Sequence, residues 1–256
     1  MASERIEFSG SLDTKLVGRI DTPESGAKAW AVFAHCFTCS KDSKAAAFIA
    51  TALTESGFGV LRFDFTGLGG SGGDFSNTDF SSNVEDLVAA AEWLETNHGT
   101  PALLIGHSLG GAAVLAAAHR VPSCVAVATL CAPFEPAHVA HQFESSLQLI
   151  ESEGQATVQL GGRSFTIKRE FIEDLAGQAQ ADRIKNLRRP LLVLHPPTDQ
   201  TVNIKNAKQI FETAFHPKSF VALDDADHLL NRSVDARFAA SMIAAWAKRY
   251  LPEPKA

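Results

Sequence analysis

Residues 106–110 read Gly-His-Ser-Leu-Gly, and what flanks them leaves the backbone few choices. Before them runs an apolar segment of strand length, Pro101 to Gly106 (PALLIG). After them comes an Ala-rich segment of helical length, Leu109 to His119 (LGGAAVLAAAH). The chain must turn sharply at Ser108 to pass from one to the other. G-x-S-x-G in this setting is the pattern of a nucleophile elbow. Small residues on either side let neighbouring backbones pass closely, and the hydroxyl stands clear at the carboxyl end of the strand. The next helix points its free amides and positive dipole end at any negative charge developing there. With 18 glycines and 20 serines in 256 residues, random placement gives roughly 0.1 such pentapeptides, so chance is a poor explanation.

The rest of the chain alternates strand and helix signals. Arg5 to Ser9 and Leu16 to Ile20 read as a short antiparallel pair at a sheet edge. Ala29 to His35, Phe58 to Phe65, Val125 to Leu130, Pro190 to His195 and Ser219 to Leu223 read as further strands. Several are almost continuously apolar, as strands buried on both faces are. Between them fall helical stretches: Ser43 to Ser56, a helix opened by a capping box at Ser82-Asn83-Val84-Glu85, Ile204 to Phe215, and Val234 to Tyr250. This rhythm predicts an α/β fold, a mostly parallel central sheet with helices on both faces. Residues 134–189 break it, with charged helical segments and a hairpin signal at Gly161-Gly162. We read 1–133 and 190–256 as the core and 134–189 as an inserted cap.

A serine hydroxyl is a weak nucleophile until a base, usually an oriented His, removes its proton. Behind an elbow of this kind the acid and the base follow in that order, each after a later strand. Asp199 lies just after the strand ending at His195, and His228 just after the strand ending at Leu223. Ser108, Asp199 and His228 are therefore the expected catalytic residues. The backbone N–H of Leu109 is the expected first donor to an oxyanion. The second is expected from the loop after an early strand, and Phe37 is assigned. Cys36, His107, Phe134, Phe143 and Phe165 are candidate pocket residues, with the His107 ring facing away from the nucleophile. His195 ends a strand near the site, and Arg62 with Asp64 is expected to form a hydrogen-bonded corner beneath it.

Taken in order, AHCFTCSKD, LRFDFTGLGGSGGDF, GHSLGG and DADHLL resemble the α/β-hydrolase superfamily. More narrowly they resemble the hydrolase half of bacterial bifunctional α/β-hydrolase/OsmC-like proteins, and they are similar to the cinnamoyl (feruloyl) esterases. The resemblance implies an α/β-hydrolase fold and a carboxylic ester hydrolase acting through Ser108, Asp199 and His228. It also implies an oxyanion hole at Phe37 and Leu109, a substrate pocket shaped by the cap, and no cofactor. Thioester, amide or lactone hydrolysis and perhydrolysis use the same triad. An inactive hydrolase fold serving as a binding module is the alternative from another class. The chain departs from the pattern at Cys36, where the hydrolases carry Gly. No OsmC-like domain follows residue 256, so a stand-alone relative or a shortened piece is expected. Cys36 and Cys39 form a C-x-x-C. Two reduced thiols in a packed loop are the expectation; a disulfide that distorted the hole would make activity fall on oxidation.

Other classes fit poorly. A net charge of −6 lacks the basic footprint that nucleic acid or an anionic membrane requires. No run of about 18 apolar residues is present, and MASERIEFSG carries charges where a signal peptide has an apolar core. A cytoplasmic location is expected. The Gly67 to Gly73 loop lacks the helix start and acidic partner of a dinucleotide site. His138 and His141 alone make no metal site, so no metal is expected. A small-molecule ester is the expected partner, and an exposed cap face leaves a homodimer open.

Overall fold

The computed structural model describes residues 1–251; residues 252–256 of the expected 190–256 core segment lie outside the described residues. Among the described residues, ten strands form two sheets: β1 Ala2–Ser9, β2 Lys15–Thr22, β3 Ala29–Ala34, β4 Phe58–Phe63, β5 Pro101–His107, β6 Ala126–Leu130, β7 Gln155–Leu160, β8 Arg163–Lys168, β9 Leu191–His195 and β10 Lys218–Ala222. The main sheet has the order β1-β2-β4-β3-β5-β6-β9-β10. β1, β2 and β4 pair antiparallel at one edge, and the remaining pairs are parallel. This is the α/β-hydrolase fold, with helices on both faces.

The strand sequences explain the layering. In β5, Leu103 and Ile105 face one apolar layer and Leu104 the other. In β9, Leu192 and Leu194 oppose Leu191 and Val193 in the same way. Successive side chains point to opposite faces, so a continuously apolar strand builds two cores at once. On one face lie α1 (Lys44–Glu55) and α8 (Ser233–Ala247), which press Ala46, Ile49, Leu53, Ala240 and Ile243 inward. On the other lie α2 (Phe80–Asn97) and α3 (Leu109–Ala117).

The start of α2 corrects one expectation. Its cap is Asp79, whose carboxylate accepts from the Ser82 amide, while the Ser82 hydroxyl bonds back to the Asp79 amide. Ser82 is thus the last residue of the box, not its first. Asp79 offers the better acceptor, and the helix gains three residues.

Between β6 and β9 the chain leaves the sheet. Residues 134–189 hold α4 (Leu147–Glu153), the β7–β8 hairpin, α5 (Arg169–Ala176) and α6 (Gln180–Lys185). The hairpin turns on Gly161 and Gly162, both at positive φ (56° and 77°), as a primed two-residue turn needs. The last helical stretch before β10 is α7, Lys205–Thr213. Among the described residues, no helix is long and apolar enough to cross a membrane.

Candidate active site

β5 delivers Ser108 to the carboxyl edge of the parallel strands. Ser108 has φ 54° and ψ −122°, outside the comfortable regions for an L-residue. The turn is held by its surroundings: its amide donates to the Leu130 carbonyl (2.8 Å), and its carbonyl accepts from the Gly111 amide (2.8 Å). A Cβ on Gly106 would overlap the Gly110 carbonyl, and one on Gly110 would overlap the carbonyls of Ala34 and His35. Both glycines are required by close backbone approach.

The structure brings Ser108, His228 and Asp199 together. His228 Nδ1 donates to Asp199 Oδ2 (2.7 Å), and Ser108 Oγ lies 3.1 Å from His228 Nε2. In that tautomer Nε2 accepts a hydrogen bond from the Ser108 hydroxyl. Asp199 Oδ1 accepts from the amides of Thr201 (2.8 Å) and Val202 (2.9 Å). Burial works to raise the Asp199 carboxyl, but the His228 hydrogen bond and these amides outweigh it and hold the group below its ordinary range. The carboxylate therefore stays ionised beside the imidazole. Ser108 is 4% and His228 9% exposed, so the constellation is closed over.

Phe37 and Leu109 both line one small pocket. With His35, Cys36 and Gly110 they line a space of about 10 Å³, room for about one water. Neither amide has a hydrogen-bond partner among the described residues. Cys36 keeps an ordinary negative φ; Thr38, two positions on, takes the left-handed turn (φ 58°).

The two cysteines overturn the expectation of free thiols: Cys36 and Cys39 form a disulfide, while Cys124 and Cys131 are free. Spacing in sequence could not decide this. Their Cα atoms stand 5.3 Å apart, inside the range a disulfide bridges. Ser108, His228 and Asp199 stand in hydrogen-bond contact with the bridge closed.

Of the pocket candidates, His107 is buried against His228, and its Nε2–H donates to the His228 carbonyl (2.7 Å). Phe143 packs its ring 6.4 Å from that of Phe37, and Phe165 lies 4.9 Å from Phe75 in the same aromatic cluster. Phe134 is partly buried, and its amide donates to Asn206. A cleft of about 450 Å³ borders Asp199 and His228, with Asp225, Asp227 and Asn231 in its wall.

Several supports escaped the sequence. Lys41 donates from both its amide (2.6 Å) and Nζ (2.8 Å) to buried Asp64, whose carboxylate also takes the Gly70 amide. Arg62 turns to Asp21 (2.6 Å) and the Lys41 carbonyl (2.6 Å), and Asp42 pairs with both Arg62 (3.0 Å) and Lys41 (2.9 Å), so the corner is a network of linked ion pairs rather than one Arg62–Asp64 contact. His195 lies behind the acid, with Nε2 donating to the Val202 carbonyl (2.7 Å). Cys131, at φ 52°, offers with Asp199 and His228 three donor atoms within 4.8 Å of one another. Burial pushes its thiol far up, keeping it protonated, and His228 Nδ1 is already engaged. That set suits an acid–base pair better than a cation.

Burial also lowers His107 to about 3, with the charge on neighbouring His228 a further cause, so its ring is neutral in the fold. A His lowered from its ordinary 6.5 contributes stability that is complete above 6.5 and is lost as pH falls toward 3. Buried His35 and His195 shift the same way. Acidifying from pH 7 to 5 should cost about 2 kcal/mol through His107 alone. Urea titrations at the two pH values check this; equal midpoints would refute it.

The fold and the elbow define an α/β-hydrolase. Residues 27–156 match the family Hydrolase_4, described as serine aminopeptidase, S33, and the chain belongs to that family of serine hydrolases. It is similar to the esterase domain of a Rhodothermus marinus protein, at 47% identity and TM-score 0.79 over 98% of this chain and 99% of that one. It shares its fold with Est1E of Butyrivibrio proteoclasticus in a structure described as bound to ferulic acid (16% identity, TM-score 0.78, 96% and 98% covered). Human Protein ABHD12B is 29% identical over 170 residues, 65% of this chain; the match spans 44% of that relative's length.

Proposed function

We propose that the chain hydrolyses carboxylic esters through an acyl-enzyme on Ser108. His228 takes the Ser108 proton as the hydroxyl attacks the ester carbonyl. Asp199 holds the ring and stabilises its charged form. The oxyanion is received by the amides of Phe37 and Leu109. His228 then protonates the leaving alcohol, and water activated by the same ring releases the acid. The observation that carries this reading is the continuous hydrogen-bonded chain from Ser108 through His228 to Asp199, set at a strained elbow. The 47% identical esterase domain favours esters over thioesters, amides or peracids.

Residues 134–189 act in this reading as a cap. Phe143 and Phe165 from that segment join Phe37 and Phe75 in one aromatic cluster, which suits short or aromatic acyl groups. The narrower kinship with OsmC-fused hydrolases belongs to the same proposal and is carried by the loop AHCFTCSKD.

A fluorophosphonate probe, which needs an activated serine, is expected to label the native protein once, at Ser108, with the label mapped by peptide mass spectrometry. Prior urea unfolding should abolish labelling. A native protein left unlabelled would sink the serine-hydrolase mechanism. A panel of p-nitrophenyl acetate, butyrate and octanoate with methyl ferulate would then rank the acyl groups.

A further inference from the structure

The Cys36–Cys39 bridge encloses the residue whose amide the proposed mechanism uses, and that peptide plane has an identifiable clamp. The Phe37 N–H shares its plane with the Cys36 carbonyl. That carbonyl accepts from two donors, His35 Nδ1–H (2.8 Å) and the Cys39 amide (3.1 Å). A peptide is planar, so fixing the carbonyl fixes the direction of the N–H on the other side. His35 supplies its donor in the tautomer protonated at Nδ1, with Nε2 left to accept from the Phe65 amide (3.5 Å). Cys39 can supply its own only while it stays beneath residue 36, and the disulfide keeps it there.

The rest of the loop shows why a covalent tie matters. Thr38, inside the bridge, sits at φ 58°, a conformation that a β-branched residue holds only when its surroundings insist. Its carbonyl accepts from Arg163 of β8, an exposed contact. The Phe37 ring is anchored among Phe75, Phe143 and Phe171. That packing fixes the side chain, whereas the plane before it depends on residues 35 and 39. Beyond the bridge, Lys41 is fastened to Asp64. Within the turn, the Cys36–Phe37 peptide plane is thus held by His35 and by Cys39, and the disulfide ties Cys39 in place.

We propose that this disulfide is a redox-sensitive positioning device for the Phe37 amide: closed, it aims the N–H at the oxyanion; opened by a dithiol, it loosens that plane and turnover falls. The direction is opposite to that of a bridge that distorts the hole. Cys36 is buried and Cys39 is partly exposed, so an incoming thiolate reaches Cys39 Sγ first. Attack there forms a mixed disulfide and releases Cys36 Sγ as a thiolate, which takes a proton. The second thiol of the reductant then displaces Cys39, leaving two protein thiols and one oxidised dithiol.

The inference rests on the acyl-enzyme reading, and its test separates the two. Native protein is treated with dithiothreitol, desalted without oxygen, and assayed on p-nitrophenyl butyrate; a second portion is reoxidised with glutathione disulfide. Thiols are counted under denaturing conditions. We expect two thiols before reduction, Cys124 and Cys131, and four after it. A hole donor removed outright costs about 10²–10³ in kcat, so a loosened one should lower kcat about tenfold, with KM changing less than about twofold. Reoxidation should restore both the count and the rate, and Cys39→Ser should be slow and indifferent to dithiothreitol.

An unchanged kcat with the count risen from two to four overturns the inference and leaves the esterase standing. So does a protein that titrates four thiols even after glutathione disulfide, or a reduction that raises KM alone. Failure of the fluorophosphonate probe to label Ser108 in either redox state overturns the catalytic reading, and this inference with it.

Discussion

Ser108→Ala is expected to lower kcat on p-nitrophenyl butyrate by at least about 10⁴-fold, with the fold and the unfolding midpoint preserved. The reasoning is chemical. Alanine leaves the His228–Asp199 pair and the two amides in place but removes the atom that would be acylated, so only unassisted attack by water remains. A 10⁴-fold loss corresponds to about 5.4 kcal/mol of transition-state stabilisation. Asp199→Asn should come close to it, by about 10⁴-fold. An amide cannot hold the imidazole in the tautomer that donates from Nδ1, and it cannot balance the charge that His228 acquires. The two losses should not add: Ser108→Ala/Asp199→Asn should match the serine variant alone, because both act on one step. Independent, multiplying losses would mean that the three residues do not work as a unit. A serine variant with near-native rates would place the nucleophile elsewhere.

The sheet and the elbow were legible because each is written locally. Strands buried on both faces need nearly unbroken apolar runs, and PALLIG and PLLVLH supply them. Gly-x-Ser-x-Gly is legible because two close backbone approaches exclude every side chain at Gly106 and Gly110. Asp199 and His228 could be nominated because the topology puts the end of each parallel strand at the same edge. What escaped is written in pairs far apart along the chain. Lys41 reaches Asp64, His107 reaches the carbonyl of His228, and Arg163 reaches Thr38. No local pattern marks such partners. The C-x-x-C was visible, but spacing alone leaves its oxidation state open, and the free-thiol expectation failed there. The box at Ser82 was misplaced for a local reason: Asp79 and Ser82 compete for one role, and the carboxylate is the stronger acceptor.

The second large effect concerns the elbow's backbone. Gly110→Ala is expected to destabilise the fold by at least about 3 kcal/mol, the upper end of what overpacking a filled interior costs. The added methyl would run into the carbonyl oxygens of Ala34 and His35, where β3 passes into the loop bearing Phe37. Neither obstacle is the end of a flexible side chain. Relief requires moving α3 away from β3, and that opens the packing of Ala112 and Ala113 beneath it. For a chain of this size, 3 kcal/mol corresponds to a fall of about 6–12 °C in Tm. Gly162→Ala is the contrast: Gly162 has positive φ (77°), as Gly110 within α3 does not, and nothing lies within 4 Å of its added methyl. Only the left-handed backbone penalty applies there, about 1–2 kcal/mol. Calorimetry on the two variants separates steric exclusion from conformational preference. A loss at Gly110 no larger than that at Gly162 would show that α3 yields to the methyl cheaply, and the close approach of α3 to β3 would cease to explain the glycine.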